Sequence, residues 1–142
     1  MVKILFLCTG NSCRSQMAVG WARALKGGAI EASSAGIEAR GLDLRAVAVM
    51  AEAGIDISDQ RSRRLDELPS LTFDWVVTVC ADAHESCPVF PGRAQVVHRG
   101  FDDPPRLARG AASEEEALAH YRRVRDEIRA FVAGLPEALP AG

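Results

Sequence analysis

Apolar residues change their spacing along the chain, and this change predicts alternating strands and helices. Val2 to Leu7 is a nearly unbroken apolar run, which is typical of a parallel strand buried on both faces. From about Ser15, apolar residues recur at helical spacing until Gly27, so this segment is predicted as a helix. Ala29 to Ser34 has the length and composition of a second strand. The beginning of the chain therefore predicts strand, loop, helix and strand.

The middle of the chain repeats this alternation. Leu44 to Ala53 is predicted as a helix that stops at Gly54. The stripe of this helix that is expected to face the core comprises Leu44, Val47, Ala48 and Ala51. Phe73 to Val79 is rich in β-branched and aromatic residues and is predicted as a third strand, and Gln95 to His98 is predicted as a short fourth strand.

Prolines and a capping pattern organise the last part of the chain. The sequence Asp102-Asp103-Pro104-Pro105 is predicted to be neither helix nor strand. Ser113 with Glu116 three residues later forms a capping box, which predicts a final helix. The buried stripe of that helix is predicted at Tyr121, Val124, Ile128 and Phe131. The tail from about residue 135 is expected to fray. Strands that alternate with helices favour a three-layer α/β domain with a parallel sheet.

Composition limits the possible functions. The 142 residues are 48% hydrophobic and 25% charged, as expected of one soluble domain spanning 1–142. Lys and Arg total 17 against 19 Asp and Glu, so there is no basic surplus, and we expect neither nucleic acid nor a membrane surface as a partner. No stretch approaches the roughly 20 apolar residues of a membrane span, and the first apolar run is too short for a signal peptide. We therefore expect a cytoplasmic protein. We also expect it to act as a monomer.

Four cysteines raise the question of chemistry: Cys8, Cys13, Cys80 and Cys87. In a reducing compartment, cysteines are catalytic or metal-binding more often than they form structural disulfides. Cys8 and Cys80 each follow a predicted strand, and the sites of parallel sheets lie beyond the carboxyl ends of the strands. The sequence therefore places two thiols at one edge of the sheet.

The segment from Cys8 to Ser15 has the features of an oxyanion-binding loop. A thiol ends a strand, and five residues later Arg14 opens a helix. The amides of the intervening residues and the helix N-terminus can surround a tetrahedral anion, and Arg14 can bind two of its oxygens. The residues predicted to bind the oxyanion are Thr9, Gly10, Asn11, Ser12, Cys13 and Arg14. The same field favours the thiolate of Cys8, and Ser15 can donate a hydrogen bond to it. The alternative is a small buried hydrophobe at Cys8 and a surface cation at Arg14.

This loop resembles that of the low-molecular-weight protein tyrosine phosphatase family, whose signature is Cys-x5-Arg-Ser. Further similar segments are Ser34-Ala35-Gly36, residues 54–58, and Asp103-Pro104, which matches the loop carrying that family's general acid. The resemblance implies a four-stranded parallel sheet flanked by helices, with strand order 2-1-3-4. It also implies Cys8 as nucleophile and Asp103 as acid, with Asp102 as the alternative acid.

Within this family, the segment from Cys8 to Ala18 and the sequence from Gly100 to Pro104 look most like the thioredoxin-coupled arsenate reductases. The resemblance implies that Cys80 and Cys87 form a redox pair, with arsenate as substrate and thioredoxin as reductant. No tightly bound cofactor is then required. Phosphoryl transfer needs one thiol, whereas two-electron reduction needs a thiol relay, so the spare cysteines favour a reductase.

Three alternatives remain open at this stage. The enzyme can be a phosphatase acting on phosphotyrosine or aryl phosphates. Cys80, His84 and Cys87, with His98, can bind zinc, although structural zinc sites usually have tighter ligand pairs. The pair of cysteines can also be unreactive, as we expect for Cys13, which we assign to packing.

The chain departs from the family pattern at two positions. Reductases of this kind often have a glutamate of a potassium site just after the Met-Ala of the first helix, where this chain has Val19 and Gly20. Asn11 and Ser34 can still supply oxygen ligands, but without the carboxylate we predict no metal. The phosphatases tend to have an aromatic residue after Asp-Pro, whereas this chain has Pro105.

Overall fold

The computed structural model describes residues 1–80 and 90–139. Its sheet has four parallel strands in the order β2-β1-β3-β4. The strands are β1 (Val2–Cys8), β2 (Ile30–Gly36), β3 (Trp75–Thr78) and β4 (Gln95–His98). This architecture and strand order confirm the predicted fold class.

Helices and a short turn surround the sheet. The helices are α1 (Arg14–Lys26), α2 (Leu44–Glu52), α3 (Pro104–Ala108) and α4 (Glu114–Ala133), and a 3-10 turn spans Leu65–Glu67. None of the helices within the described ranges is both long and apolar enough to cross a bilayer.

Strand β1 explains how the two faces of the sheet are covered. Ile4 and Phe6 pack into the larger core beneath α1, α2 and α4, while Leu5 and Leu7 point to the opposite face and pack with Phe90. Successive strand residues face opposite sides of the sheet. Because both sides are covered, these four side chains are all fully buried. The unbroken apolar run therefore reflects burial on both faces, as predicted.

The predicted stripe of α2 is wrong at three of its four positions. Val47 is partly buried against the larger core, as predicted, but Ala48 and Ala51 are exposed and Leu44 is 82% exposed. The residues that α2 buries are Ala46, Val49 and Met50. Apolar residues lie on nearly every side of α2, so their spacing does not show which side of the helix faces the core. Contacts outside the helix fix its rotation, since its N-cap Asp43 accepts a hydrogen bond from the Tyr121 hydroxyl of α4.

Two further expectations about the end of the chain need correction. Pro104 and Pro105 begin α3, since the first turn of a helix leaves its amides unbonded and tolerates residues that lack one. The prediction that the tail frays from about residue 135 is wrong for residues 135–139. Leu135 is fully buried and Leu139 nearly so, both in the larger core, because apolar side chains there complete the packing beside α4.

Candidate active site

Cys8 ends β1 at the carboxyl edge of the sheet, and only 3% of its surface is exposed. Its Sγ lies 3.0 Å from Ser15 Oγ, which is the contact predicted from the sequence. Ser15 Oγ also accepts a hydrogen bond from Asn11 Nδ2 at 2.9 Å. Because the Ser15 oxygen already accepts this bond, its own proton is available to the Cys8 sulfur.

The loop from Cys8 to Ser15, called the cradle below, is fastened through its carbonyl groups. Five consecutive carbonyls of the loop, from Thr9 to Cys13, accept hydrogen bonds of 2.9–3.1 Å. The donors are the backbone amides of Glu38, Arg40, Asp43 and Met17 and the side-chain amide of Gln16. The neighbouring segments thus satisfy the carbonyls and leave the loop amides as the polar backbone groups for an anion.

Asn11 shapes the cradle from behind. It is fully buried and has φ +48°, in the left-handed region that asparagine tolerates better than most residues. Its Oδ1 accepts from the Arg63 amide at 2.8 Å, which orients Nδ2 toward Ser15. The sequence analysis considered Asn11 as an oxyanion-binding residue and as an oxygen ligand of a cation, whereas the structure shows that its side chain supports the loop and the Ser15 hydroxyl.

Gly36 lies directly behind the cradle, paired with Cys8 across β1 and β2. A Cβ atom on Gly36 would lie 2.7 Å from Thr9 O and 2.9 Å from Asn11 N. Both are backbone atoms of the cradle, so only glycine fits here without moving the loop.

Arg14 is buried, with 4% of its surface exposed, so the alternative of a surface cation is wrong. Its Nη1 donates to the carbonyl of Phe101 at 3.0 Å and to that of Val79 at 3.4 Å. Its Nη2 lies 3.5 Å from Asp103 Oδ1. The guanidinium is therefore held in one orientation beside the cradle, with a carboxylate next to it.

The two neighbouring aspartates face different parts of the molecule. Asp103 precedes α3 and lines the cavity in front of the cradle. Asp102 accepts a hydrogen bond from Arg123 Nη2 at 3.0 Å on the exposed surface of α4. Of the two, only Asp103 lies beside Arg14 and lines the cavity that Cys8 also lines.

A cavity of about 620 Å³ opens in front of the cradle. Its lining includes seven residues that the sequence predicted for the site: Cys8, Thr9, Gly10, Ser12, Cys13, Arg14 and Asp103. It also includes Arg40, Pro105, Arg106 and Arg109, which sequence reasoning did not select. If a helix is predicted to begin directly after Asp103, Arg106 and Arg109 are three residues apart and lie on the same side of it.

Cys80 lies at the adjacent strand end. It is buried, and its Sγ lies 4.0 Å from Thr9 Oγ1. The amide of Val79 donates to Leu7 O, which continues the pairing of β3 with β1 and places Cys80 beside Thr9, the residue after Cys8. The backbone segments that carry Cys8 and Cys80 therefore lie side by side, as predicted.

Cys87 and His84 lie outside the described residues. His98, the remaining histidine considered for zinc, has its Nδ1 2.8 Å from Thr78 Oγ1 within the β3–β4 pair. Across residues 1–80 and 90–139, no group of three His, Cys, Asp or Glu residues is arranged to hold a metal ion.

Cys13 is a free thiol, like Cys8. It belongs to the larger core, and burial raises its pKa well above the ordinary value, with the Asp43 carboxylate acting in the same direction. Both features favour a neutral packed thiol.

Comparison with known proteins agrees with this geometry. The sequence pattern of the low molecular weight phosphotyrosine protein phosphatase family matches residues 3–141. The arsenate reductase of Bacillus subtilis (strain 168) is 53% identical over 125 residues, which cover 88% of each chain. The arsenate reductase of Shouchella clausii (strain KSM-K16) is 46% identical over 134 residues, covering 94% of each chain.

Solved structures show the same similarity. A structure described as an arsenate reductase in the phosphate binding state has a TM-score of 0.78 at 29% identity and covers 99% of this chain and 100% of its own. The low molecular weight protein tyrosine phosphatase from T. tengcongensis has a TM-score of 0.73 at 28% identity, covering 98% and 100%. This chain belongs to the low molecular weight phosphotyrosine protein phosphatase family.

Proposed function

We propose that this protein reduces arsenate to arsenite through Cys8, Cys80 and Cys87, and that thioredoxin restores the thiols. The observation that carries the proposal is the second buried thiol, Cys80, at the strand end next to the nucleophile. Phosphoryl transfer has no use for this thiol, whereas a two-electron reduction requires it. The arsenate reductases among the relatives support the same function.

Oxyanion binding uses the cradle and Arg14. The cradle amides donate to the arsenate oxygens, and the N-terminus of α1 adds its partial positive charge. Arg14 binds further oxygens, because its guanidinium is already oriented by the carbonyls of Phe101 and Val79. A related reductase whose structure is described as a phosphate binding state supports this use of the site.

In the first chemical step, the Cys8 thiolate attacks arsenic and forms a sulfur–arsenic bond. One arsenate oxygen departs, and the carboxylic acid form of Asp103 gives it a proton so that it leaves as water. Arsenic remains in the +5 state in this covalent intermediate. The position of Asp103 in the cavity, 3.5 Å from Arg14, supports its role as the acid in preference to Asp102.

Electron transfer follows in the second step. The Cys80 thiolate attacks Cys8 Sγ, the sulfur–arsenic bond breaks, and its electron pair stays on arsenic, which leaves as arsenite. A Cys8–Cys80 disulfide results. Cys87 then attacks Cys80 Sγ and releases the Cys8 thiolate, and the dithiol of thioredoxin reduces the Cys80–Cys87 disulfide. The two electrons gained by arsenic thus come finally from thioredoxin, in the cytoplasm and without a bound redox cofactor.

The test is arsenate-dependent oxidation of NADPH in the presence of thioredoxin and thioredoxin reductase. We expect the wild-type protein to turn over, and we expect Cys8→Ser, Cys80→Ser and Cys87→Ser each to abolish the reaction. Hydrolysis of an aryl phosphate by the same preparations serves as the folding control. Cys8→Ser should lose this hydrolysis, and the two outer variants should retain it, since phosphoryl transfer needs only the cradle thiol.

A phosphatase acting on phosphotyrosine or aryl phosphates is the second candidate function. The observation in its favour is that Cys8, Arg14 and Asp103 are sufficient for phosphoryl transfer and line one cavity. Aryl phosphate hydrolysis without any arsenate-dependent NADPH oxidation, with active coupling enzymes, would establish the phosphatase and overturn the reductase. Full arsenate turnover by both outer cysteine variants would overturn the relay.

A further inference from the structure

The cavity in front of the cradle is much larger than the oxyanion that the cradle holds. Arsenate has five heavy atoms, whereas a cavity of about 620 Å³ lies in the range of pockets that bind whole organic ligands. The buried residues Cys8, Cys13 and Arg14 form its inner part. The outer part is therefore available to something attached to the oxyanion, or to a second ligand.

The outer part is lined by three exposed arginines, Arg40, Arg106 and Arg109, called the collar below. Arg40 lies directly on the cradle, because a Cβ on Gly10 would be 2.6 Å from Arg40 Cδ. Arg106 and Arg109 come from α3 and the residue that follows it, on the side of the cavity that carries Asp103. The collar thus combines two separate segments of the chain around one opening.

Among the described residues that line this cavity, arginines outnumber carboxylates. They comprise four arginines, including Arg14, and the carboxylate of Asp103, whereas the whole chain has a formal net charge of -2. Arg14 has Asp103 beside it, and Arg40 donates to Glu38 at 2.8 Å. No carboxylate within the described part of the chain forms an ion pair with Arg109. A cleft lined by one sign of charge concentrates ions of the opposite sign.

We propose that the collar is a second anion site, which binds the second acidic group of a ligand whose first oxyanion lies in the cradle. The ligand class is bis-anionic: diphosphates, and organic phosphates that carry a further acidic group. Such compounds would compete with arsenate. Guanidinium groups suit this role because they bind phosphate oxygens through two parallel hydrogen bonds. This inference rests on the proposed function, since it requires an oxyanion in the cradle.

The experiment is calorimetric titration of the reduced protein with inorganic phosphate and with inorganic pyrophosphate at low salt. We expect pyrophosphate to bind more tightly than phosphate. In Arg109→Ala, the pyrophosphate affinity should fall about fivefold, as for an exposed charge contact, while the phosphate affinity changes less than twofold. Arg129→Ala is the matched control, because it removes one exposed arginine of α4 that is outside the cavity lining.

The outcomes separate a specific site from a general field. Equal weakening of phosphate and pyrophosphate by Arg109→Ala, or equal effects of Arg109→Ala and Arg129→Ala, would overturn the collar site. The collar site would also be overturned if pyrophosphate binds no more tightly than phosphate. Arsenate turnover is measured on the same preparations, so failure of the collar with intact turnover leaves the proposed function in place. Turnover that is absent while pyrophosphate binding depends on Arg109 would count against the reductase alone.

Discussion

The two sides of the cradle are built from different interactions. Behind the loop, backbone and amide groups hold its carbonyls, Asn11 is bonded on both ends of its side chain, and Gly36 leaves no space for a Cβ. In front of the loop stand charged groups: Arg14, Asp103 and the collar. We therefore expect the back to fix the shape of the loop, and the front to determine the charge of the ligand that binds and the reaction that the site catalyses. Substitutions in front of the loop should mainly affect kcat, whereas substitutions behind it should affect stability and phosphate binding.

The largest effect is expected on the front, for Asp103→Asn. Asparagine cannot supply a carboxylic proton to the departing oxygen, so kcat should fall about 100-fold or more for both arsenate and aryl phosphate. Removal of a negative charge 3.5 Å from Arg14 should leave phosphate affinity unchanged or increase it. Steady-state kinetics together with phosphate inhibition measures both quantities.

Asp102→Asn is the matched control for this variant. Asp102 bonds to Arg123 on the surface, so we expect its kcat to stay within about twofold of wild type, as for exposed ion pairs in general. Loss of activity in Asp102→Asn alone would assign the acid to the other aspartate. A loss shared equally by the two variants would contradict the separation of roles.

A smaller effect is expected on the back, for Gly36→Ala. The new Cβ would meet Thr9 O and Asn11 N closer than atoms can approach, so the cradle must shift. We expect the free energy of unfolding to fall by about 2 kcal/mol, as for overpacked sites, and phosphate to bind more weakly. Denaturant unfolding and phosphate titration measure these changes.

Gly28→Ala provides the control for the backbone change. A Cβ there meets nothing within 4 Å, so stability and phosphate binding should stay close to those of wild type. If Gly36→Ala loses stability but binds phosphate normally, the residues behind the cradle do not set the shape of its anion site.

The sequence predicted best those parts of the site that are contiguous in the chain. Cys8, Arg14 and Ser15 lie within eight residues, so the transition from strand to loop to helix was sufficient to bring them together. The strand order also followed from the resemblance of this segment to its family. The contiguous sequence thus predicted the core of the site, and the resemblance implied the strand order.

Two kinds of feature that depend on distant segments were not predicted: the outer arginines of the cavity and the rotation of α2. Arg40 reaches the cavity only because residues 38–43 pack behind the cradle, and Arg109 reaches it only because α3 begins at Pro104. The buried face of α2 was predicted wrongly because its composition is apolar on several sides, so tertiary contacts decide the rotation. Such contacts leave no local periodicity to detect.

The smallest effect is expected at the outermost support of the back, for Tyr121→Phe. The Tyr121 hydroxyl donates to Asp43 Oδ2 at 2.7 Å, and the Asp43 amide in turn holds Ser12 O of the cradle. Loss of one such bond should cost about 1 kcal/mol at pH 7, with kcat little changed.

Burial first, and then the bond to Asp43, raise the pKa of Tyr121 above its ordinary value of about 10. The folded protein therefore keeps Tyr121 protonated where the unfolded chain ionises, and this stabilisation is lost as pH rises above about 10. Tyr121→Phe has no phenol to ionise and does not lose this stabilisation. Denaturant unfolding should therefore show that the free energies of unfolding of wild type and Tyr121→Phe differ less at pH 10.5 than at pH 7. A constant or larger difference at pH 10.5 would contradict the role assigned to the Tyr121 hydroxyl.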